Sequence, residues 1–121
     1  MQKNPSHYAT VNKLEKDVEV RIESRMLARS SNALQLVEHN DSNEYPAVIY
    51  IPIEDIDYSN LHNSDTESSC PIKGKAKYKS YKDNQIEIED IAWYYPEPQE
   101  DIKKIKDHLA FFTDKVNLKV L

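Results

Sequence analysis

Apolar and charged residues alternate strictly at Val18-Glu19-Val20-Arg21-Ile22-Glu23, the period of a strand with one buried face. Met26 to Ser30 is placed to pair back on it. Leu34-Gln35-Leu36-Val37-Glu38 reads as a further strand, ended by the turn-forming run His39-Asn40-Asp41-Ser42-Asn43. Ala47-Val48-Ile49-Tyr50-Ile51 is a short β-branched run, which Pro52 either stops or confines to a sheet edge. Polar residues dominate from Asp57 to Ser69. That stretch reads as a loop, and loops of such length are more often functional than accidental.

Beyond Gly74, the pattern predicts a hairpin. Lys75, Lys77 and Lys79 alternate with Ala76, Tyr78 and Ser80, and Ile86, Ile88 and Ile91 follow Lys82-Asp83-Asn84. A three-residue loop at 82–84 opposes Lys79 to Glu87, Tyr78 to Ile88 and Lys77 to Glu89, which separates apolar from charged faces. Ala92-Trp93-Tyr94-Tyr95 extends the second strand until Pro96-Glu97-Pro98 stops it. Ile102, Ile105 and Leu109 follow helical spacing, with Glu100 and Asp101 at the start and lysines 103, 104 and 106 beyond, as a helix dipole favours. Leu109-Ala110-Phe111-Phe112 reads as a buried strand, and Val116 to Val120 alternates again. The pattern therefore predicts a mainly β, compact single-domain barrel or sandwich with one short helix near residues 99–107. Residues 1–17 read as a lead-in and 18–121 as the domain.

With 121 residues, the chain suits one domain. Apolar residues make up 39% and charged residues 31%, so a modest core lies under a heavily charged surface. The net charge of −5 has the wrong sign for a dedicated nucleic-acid or anionic-membrane binder. No window approaches the roughly 18 apolar residues of a membrane-spanning helix. The stretch Met1 to His7 lacks the apolar core of a signal peptide. Cys70 is the only cysteine, which excludes an internal disulfide and fits a reducing compartment. A cytoplasmic protein is expected, with a small-molecule ligand and without nucleic-acid or membrane partners. The sequence specifies neither a cofactor nor an oligomeric state.

The only cysteine and the only glycine lie within Cys70-Pro71-Ile72-Lys73-Gly74. An average chain of this length carries about eight glycines. A single retained one marks a positive φ or a close approach of the backbone to another group. Cys70 is a candidate activated thiol, with Lys73 three residues on and His62 upstream. A cysteine packed as a small hydrophobe is the favoured alternative. Lys73 beside Gly74 is a candidate anion-binding ammonium. The hairpin register gives Lys77 and Lys79 acidic partners and leaves Lys73 without one. Tyr78, Trp93, Tyr94 and Tyr95 form an aromatic group able to stack on a flat ligand. Trp93 suits the core, and Tyr95, at a strand end, suits a site open to solvent. Asp55, with Glu54 and Asp57, is a candidate catalytic or cation-binding acid, although a solvated face explains the run better. One cysteine and four scattered histidines do not make a zinc site, and no metal is expected.

Three blocks resemble the pattern of the domain of unknown function 427 family. They are Ala28-Arg29-Ser30-Ser31-Asn32-Ala33-Leu34 through Glu38 with Tyr50-Ile51-Pro52 and Asp55; Thr66 with Cys70 through Tyr78; and Ala92 through Pro98 with Ala110-Phe111. The chain departs from that pattern in the extra Glu67-Ser68 and in Ile72, where an aromatic is common. The resemblance implies a small, compact, β-rich domain of a mostly bacterial family without an established function. It also brings forward Arg29, as a pairing or anion-binding residue, and Glu38. The family has carried a nucleotidyltransferase-like label. Here the Gly-Ser pair followed by paired acids is absent, because Lys75 follows the only glycine, and no P-loop is present.

The expected function is binding of a small anionic ligand, with aromatic faces suited to a flat one, near Cys70–Gly74. The expected ligand contacts are Lys73, Gly74, Arg29, Tyr78, Trp93 and Tyr95. The alternatives are an enzyme using Cys70 or Asp55 in transferase or thiol chemistry, and a protein-interaction module.

Overall fold

A computed structural model describes residues 7–40 and 43–121. Its strands are β1 (His7–Lys13), β2 (Val18–Ile22), β3 (Arg25–Ser30), β4 (Leu34–Asn40), β5 (Asn43–Glu44), β6 (Val48–Pro52), β7 (Leu61–Cys70), β8 (Gly74–Lys82), β9 (Glu87–Tyr94), β10 (His108–Phe111) and β11 (Asn117–Val120). Two antiparallel sheets form a sandwich-like domain. The main sheet runs β1-β4-β6-β10-β9-β8-β7, with β5 on β4, and the small sheet runs β11-β2-β3. Among the described residues no ladder joins β1 to β7, so the main sheet is an open sheet, not a closed barrel.

Period-2 alternation gives the main sheet two apolar faces. Ile49 and Ile51 of β6, Leu109 and Phe111 of β10, and Ala92 of β9 pack toward Val18, Val20, Ile22 and Leu27 of the small sheet. The intervening Val48 and Tyr50, Ala110, and Trp93 face the other way. There they join Ala9 and Val11 of β1, Leu36 of β4, and Ala76 and Tyr78 of β8. Residues from both ends of the sheet meet in one cluster, so the sheet curls around this second face. Ile102 and Ile105 close it from the turn Glu100–Ile105.

The short helix expected near residues 99–107 is present there as a 3-10 helix, broken at Ile102 (φ −125°). The pair Ile102 and Ile105 needs only three-residue spacing to bury both side chains, which a 3-10 turn supplies. Pro52 ends β6 without placing it at an edge, since β6 lies between β4 and β10. Two strands escape the hydrophobic pattern. The stretch read as a lead-in carries β1, and the expected polar loop from Asp57 to Ser69 holds all of β7 but its last residue, Cys70. As an edge strand, β7 is largely solvated on both faces, so its residues show no apolar alternation. The turn expected at His39–Asn43 falls partly on residues 41 and 42, outside the described residues.

The hairpin β8–β9 forms in a different register from the expected one. Lys82 pairs with Glu87, Tyr81 with Ile88, Lys79 with Ala92 and Tyr78 with Trp93. Two causes shift it. Asp83 makes a longer loop, accepting hydrogen bonds from the Tyr81 hydroxyl (2.6 Å) and the Gln85 (2.7 Å) and Ile86 (2.9 Å) amides. A bulge then brings Asp90 to φ 50°, with its amide on the Ser80 hydroxyl at 2.9 Å. The bulge lets Ile88 and Ile91, three apart, face the same core.

Those donors, the Tyr81 hydroxyl first, hold the Asp83 carboxyl down at about 2. A carboxyl depressed in the folded state contributes stability that is complete above its unfolded value of about 3.9 and is lost as pH falls through the folded value. The acid arm of the stability curve between about pH 4 and pH 2 therefore contains an Asp83 component. Asp83→Asn is expected to flatten that arm, as followed by circular dichroism. An unchanged arm would contradict the loop's role.

Candidate functional site

The segment Cys70–Gly74 turns the chain from β7 into β8. The Lys73 amide donates to the Cys70 carbonyl at 3.2 Å, and the Lys73 carbonyl accepts from the Gln99 amide at 3.0 Å. Gly74 has φ +116°, and a Cβ there would lie 3.1 Å from the Glu97 carbonyl oxygen. Both expected reasons for retaining this glycine hold. The crossing ties the turn to Glu97–Gln99 and fixes where Lys73 points.

Lys73 has a partner. Its Nζ lies 2.8 Å from Glu38 Oε1, with the lysine side chain only 15% exposed. The other carboxylate oxygen, Oε2, is 2.9 Å from His7 Nε2. β1 and β4 explain this convergence. Ala9 opposes Glu38 and His7 opposes Asn40, which makes His7 the diagonal neighbour of Glu38 on the same face. Burial pushes the Glu38 carboxyl up, but the His7 and Lys73 hydrogen bonds and charges outweigh it, and its pKa is lowered.

Tyr50, 1% exposed, and Tyr95, 7% exposed, belong to the buried cluster of the same face. Burial raises both phenols above their ordinary pKa, and proximity to Cys70 and Glu38 adds to the rise in each. Tyr50 accepts a hydrogen bond from Trp93 Nε1 at 3.3 Å. Trp93 in turn lies 4.5 Å from the Phe112 ring, on which Tyr78 stacks at 6.2 Å with an interplanar angle of 8°. A cleft of about 340 Å³ opens beside Trp93 and Phe112, with Val48, Pro46 and Leu118 among its walls. The Tyr78 hydroxyl shares a hydrogen bond with Ser68 at 2.7 Å.

The structure thus gathers Cys70, Lys73, Tyr78, Trp93 and Tyr95 on the curled face, together with residues not expected there: His7, Tyr50 and Phe112. Glu38 had been brought forward without a role. Two expectations about the aromatics are reversed. Tyr95 is buried rather than open to solvent, whereas Trp93 is only half buried and lines a cleft. Tyr50 follows from the alternation of β6, since it must face away from Ile49 and Ile51. His7 carried no such signal.

Arg29 and Asp55 serve elsewhere. Arg29 projects from β3 of the small sheet, 55% exposed, and pairs across the ladder with Glu19 at 2.9 Å. Asp55 lies in the 3-10 turn Ile53–Asp55 and accepts a hydrogen bond from the buried Ser30 hydroxyl at 2.6 Å, which ties β3 to the end of β6. His62 sits on β7 opposite Ser80. Among the described residues, no group of three or more His, Cys, Asp or Glu side chains is arranged to hold a metal ion. No helix is long and apolar enough to cross a membrane.

The sequence model of the domain of unknown function 427 family matches residues 10–120, and the chain belongs to that family. No curated protein matches it. The matched span takes in β4, the Cys70–Gly74 turn and β9, the elements that supply Glu38, Lys73 and Trp93.

Proposed function

We propose that this domain binds a small anionic ligand on the curled face of the main sheet. The Lys73 ammonium engages the anion, and the Trp93–Phe112 cleft takes a flat apolar portion. The observation that carries this reading is the fixed position of Lys73. Glu38 occupies one direction of its ammonium, which leaves further N–H donors preoriented, and the side chain is largely withdrawn from solvent. His7 takes the other Glu38 oxygen at 2.9 Å, so the carboxylate is held by two partners and does not close around Lys73 alone.

Binding takes precedence over catalysis because, among the described residues, no hydrogen bond reaches the Cys70 thiol from a base. A nucleophilic thiol needs a base, a cation or a helix N-terminus beside it, and the Lys73 ammonium is engaged by Glu38.

Mass spectrometry of the denatured protein, after gentle purification, tests this reading. A small molecule is expected to co-purify with the native chain and with Lys77→Ala, and to be lost from Lys73→Ala. Equal retention in the two variants would remove Lys73 from the site.

A further inference from the structure

We propose that a second groove, on the opposite face of the main sheet, binds a planar aromatic molecule carrying one anionic group. The groove encloses about 330 Å³ and is lined by Ile53, Tyr58, Lys79, Tyr94, Pro96 and His108, with Asp107 and the curled-face residue Tyr95 also on its wall. It follows from the β8–β9 register. Lys79 opposes Ala92, so it is the diagonal neighbour of Tyr94 on the face away from Tyr78 and Trp93.

Lys79 is the cation of this groove. Its Nζ donates to Asn63 Oδ1 at 2.7 Å and lies 5.6 Å from the ring centroids of both Tyr58 and Tyr94. No carboxylate pairs with it among the described residues, in contrast to Lys73, Lys75 and Lys103. An ammonium held by an amide oxygen and two aromatic rings, with no carboxylate against it, keeps its net positive charge. It also occupies the ring faces that would otherwise attract a cation. An anion completes its coordination.

The walls account for the aromatic half. Ile53 is 42% exposed and Tyr58 is 37% exposed, large apolar surfaces that no other part of the described chain covers. With Pro96 they make a flat apolar rest next to the ammonium. His108 donates from Nδ1–H to the Lys106 carbonyl at 2.8 Å, which leaves Nε2 as the ring's remaining polar atom. Asp107 is the one acid on the lining and is exposed to water, where salt screens its repulsion.

The test is a titration of the 15N-labelled full chain with 2-naphthoate, 2-naphthyl phosphate and 2-naphthylmethylammonium, followed by amide shifts. The two anions are expected to shift Tyr58, Lys79, Tyr94 and His108, and the cation is not. Whichever anion binds more tightly indicates whether a carboxylate or a phosphate is the natural group. Lys79→Gln should weaken the tighter anion at least tenfold, and Tyr58→Ala, at an exposed position, should weaken it severalfold. Lys73→Ala should leave it unchanged, which separates this groove from the curled-face site. Equal binding of the cation, undiminished affinity in Lys79→Gln, or no shifts at millimolar anion would overturn the proposal.

Discussion

Gly74→Ala is expected to lower the melting temperature by about 10 °C. Two costs add at this position. A φ of +116° lies where L-residues are strained, at about 1–3 kcal/mol. The new methyl would also meet the Glu97 carbonyl oxygen at 3.1 Å, and that oxygen belongs to backbone and cannot swing aside. Relief requires parting the Cys70–Gly74 turn from Glu97–Gln99, at the expense of the hydrogen bond from the Gln99 amide to the Lys73 carbonyl. The sum is about 2–4 kcal/mol, and a domain of this size loses roughly 4 °C per kcal/mol. Lys75→Ala, one residue on and solvent-exposed, is the control and should melt within about 2 °C of the native chain. If Gly74→Ala melts with the control, the close crossing under the site is absent. The same substitution should loosen Lys73 from Glu38, because the crossing orients Lys73.

The hydrophobic pattern was a good guide wherever a strand buries one face. β2, β3, β4, β6, β8, β9, β10 and β11 all lie where alternation or a short apolar run places them, and the chain's β-rich class follows. It was a poor guide where burial is slight. The ten residues of β7 are held by a ladder to β8 alone, and their Ser, Thr, Asn and Asp side chains face water on both sides. Backbone pairing leaves no hydrophobic trace. Register was lost for a related reason. The sorting of Ile86, Ile88 and Ile91 assumed unbroken alternation, whereas Asp83 and the Asp90 bulge shift its phase through hydrogen bonds that composition does not reveal.

The candidate site was legible in part. Gly74 announced itself by rarity, and both physical reasons for keeping it are present. The two lysines exchanged roles. Lys73 was read as unpartnered because Glu38, 35 residues earlier, reaches it only through the curl of the sheet. Lys79 was assigned an acid that the true register moves away, leaving it between two tyrosines. Arg29 joins Lys73 through the resemblance and Asp55 is offered by its acidic run with Glu54 and Asp57, yet their partners, Glu19 and Ser30, belong to the small sheet. Pairings of this kind depend on long-range register, to which local sequence spacing is blind.

Tyr50→Ala should be the most damaging single change on the curled face, lowering stability by about 3–5 kcal/mol and the melting temperature by more than about 10 °C. Tyr50 is 1% exposed, packs with Leu36, Ala110 and Ile105, and meets Trp93 edge-on at 6.3 Å. Neighbours anchored in strands on either side cannot collapse into the space its ring leaves. Tyr50→Phe separates packing from polarity: it keeps the ring and removes only the acceptor for Trp93 Nε1. Because Trp93 is half buried, water can replace that acceptor, and the loss should be about 1 kcal/mol. Trp93 is the only tryptophan, so its emission reports directly on this contact and should shift to the red in Tyr50→Phe. A near-native melt for Tyr50→Ala would mean that the curled face is not packed around Tyr50. A large loss in Tyr50→Phe with unshifted emission would mean that the hydroxyl acts through a partner other than Trp93. A small loss with red-shifted emission would establish the Tyr50 hydroxyl as the partner of Trp93 Nε1, the contact that ties the wall of the aromatic cleft to the packed interior of the curled face.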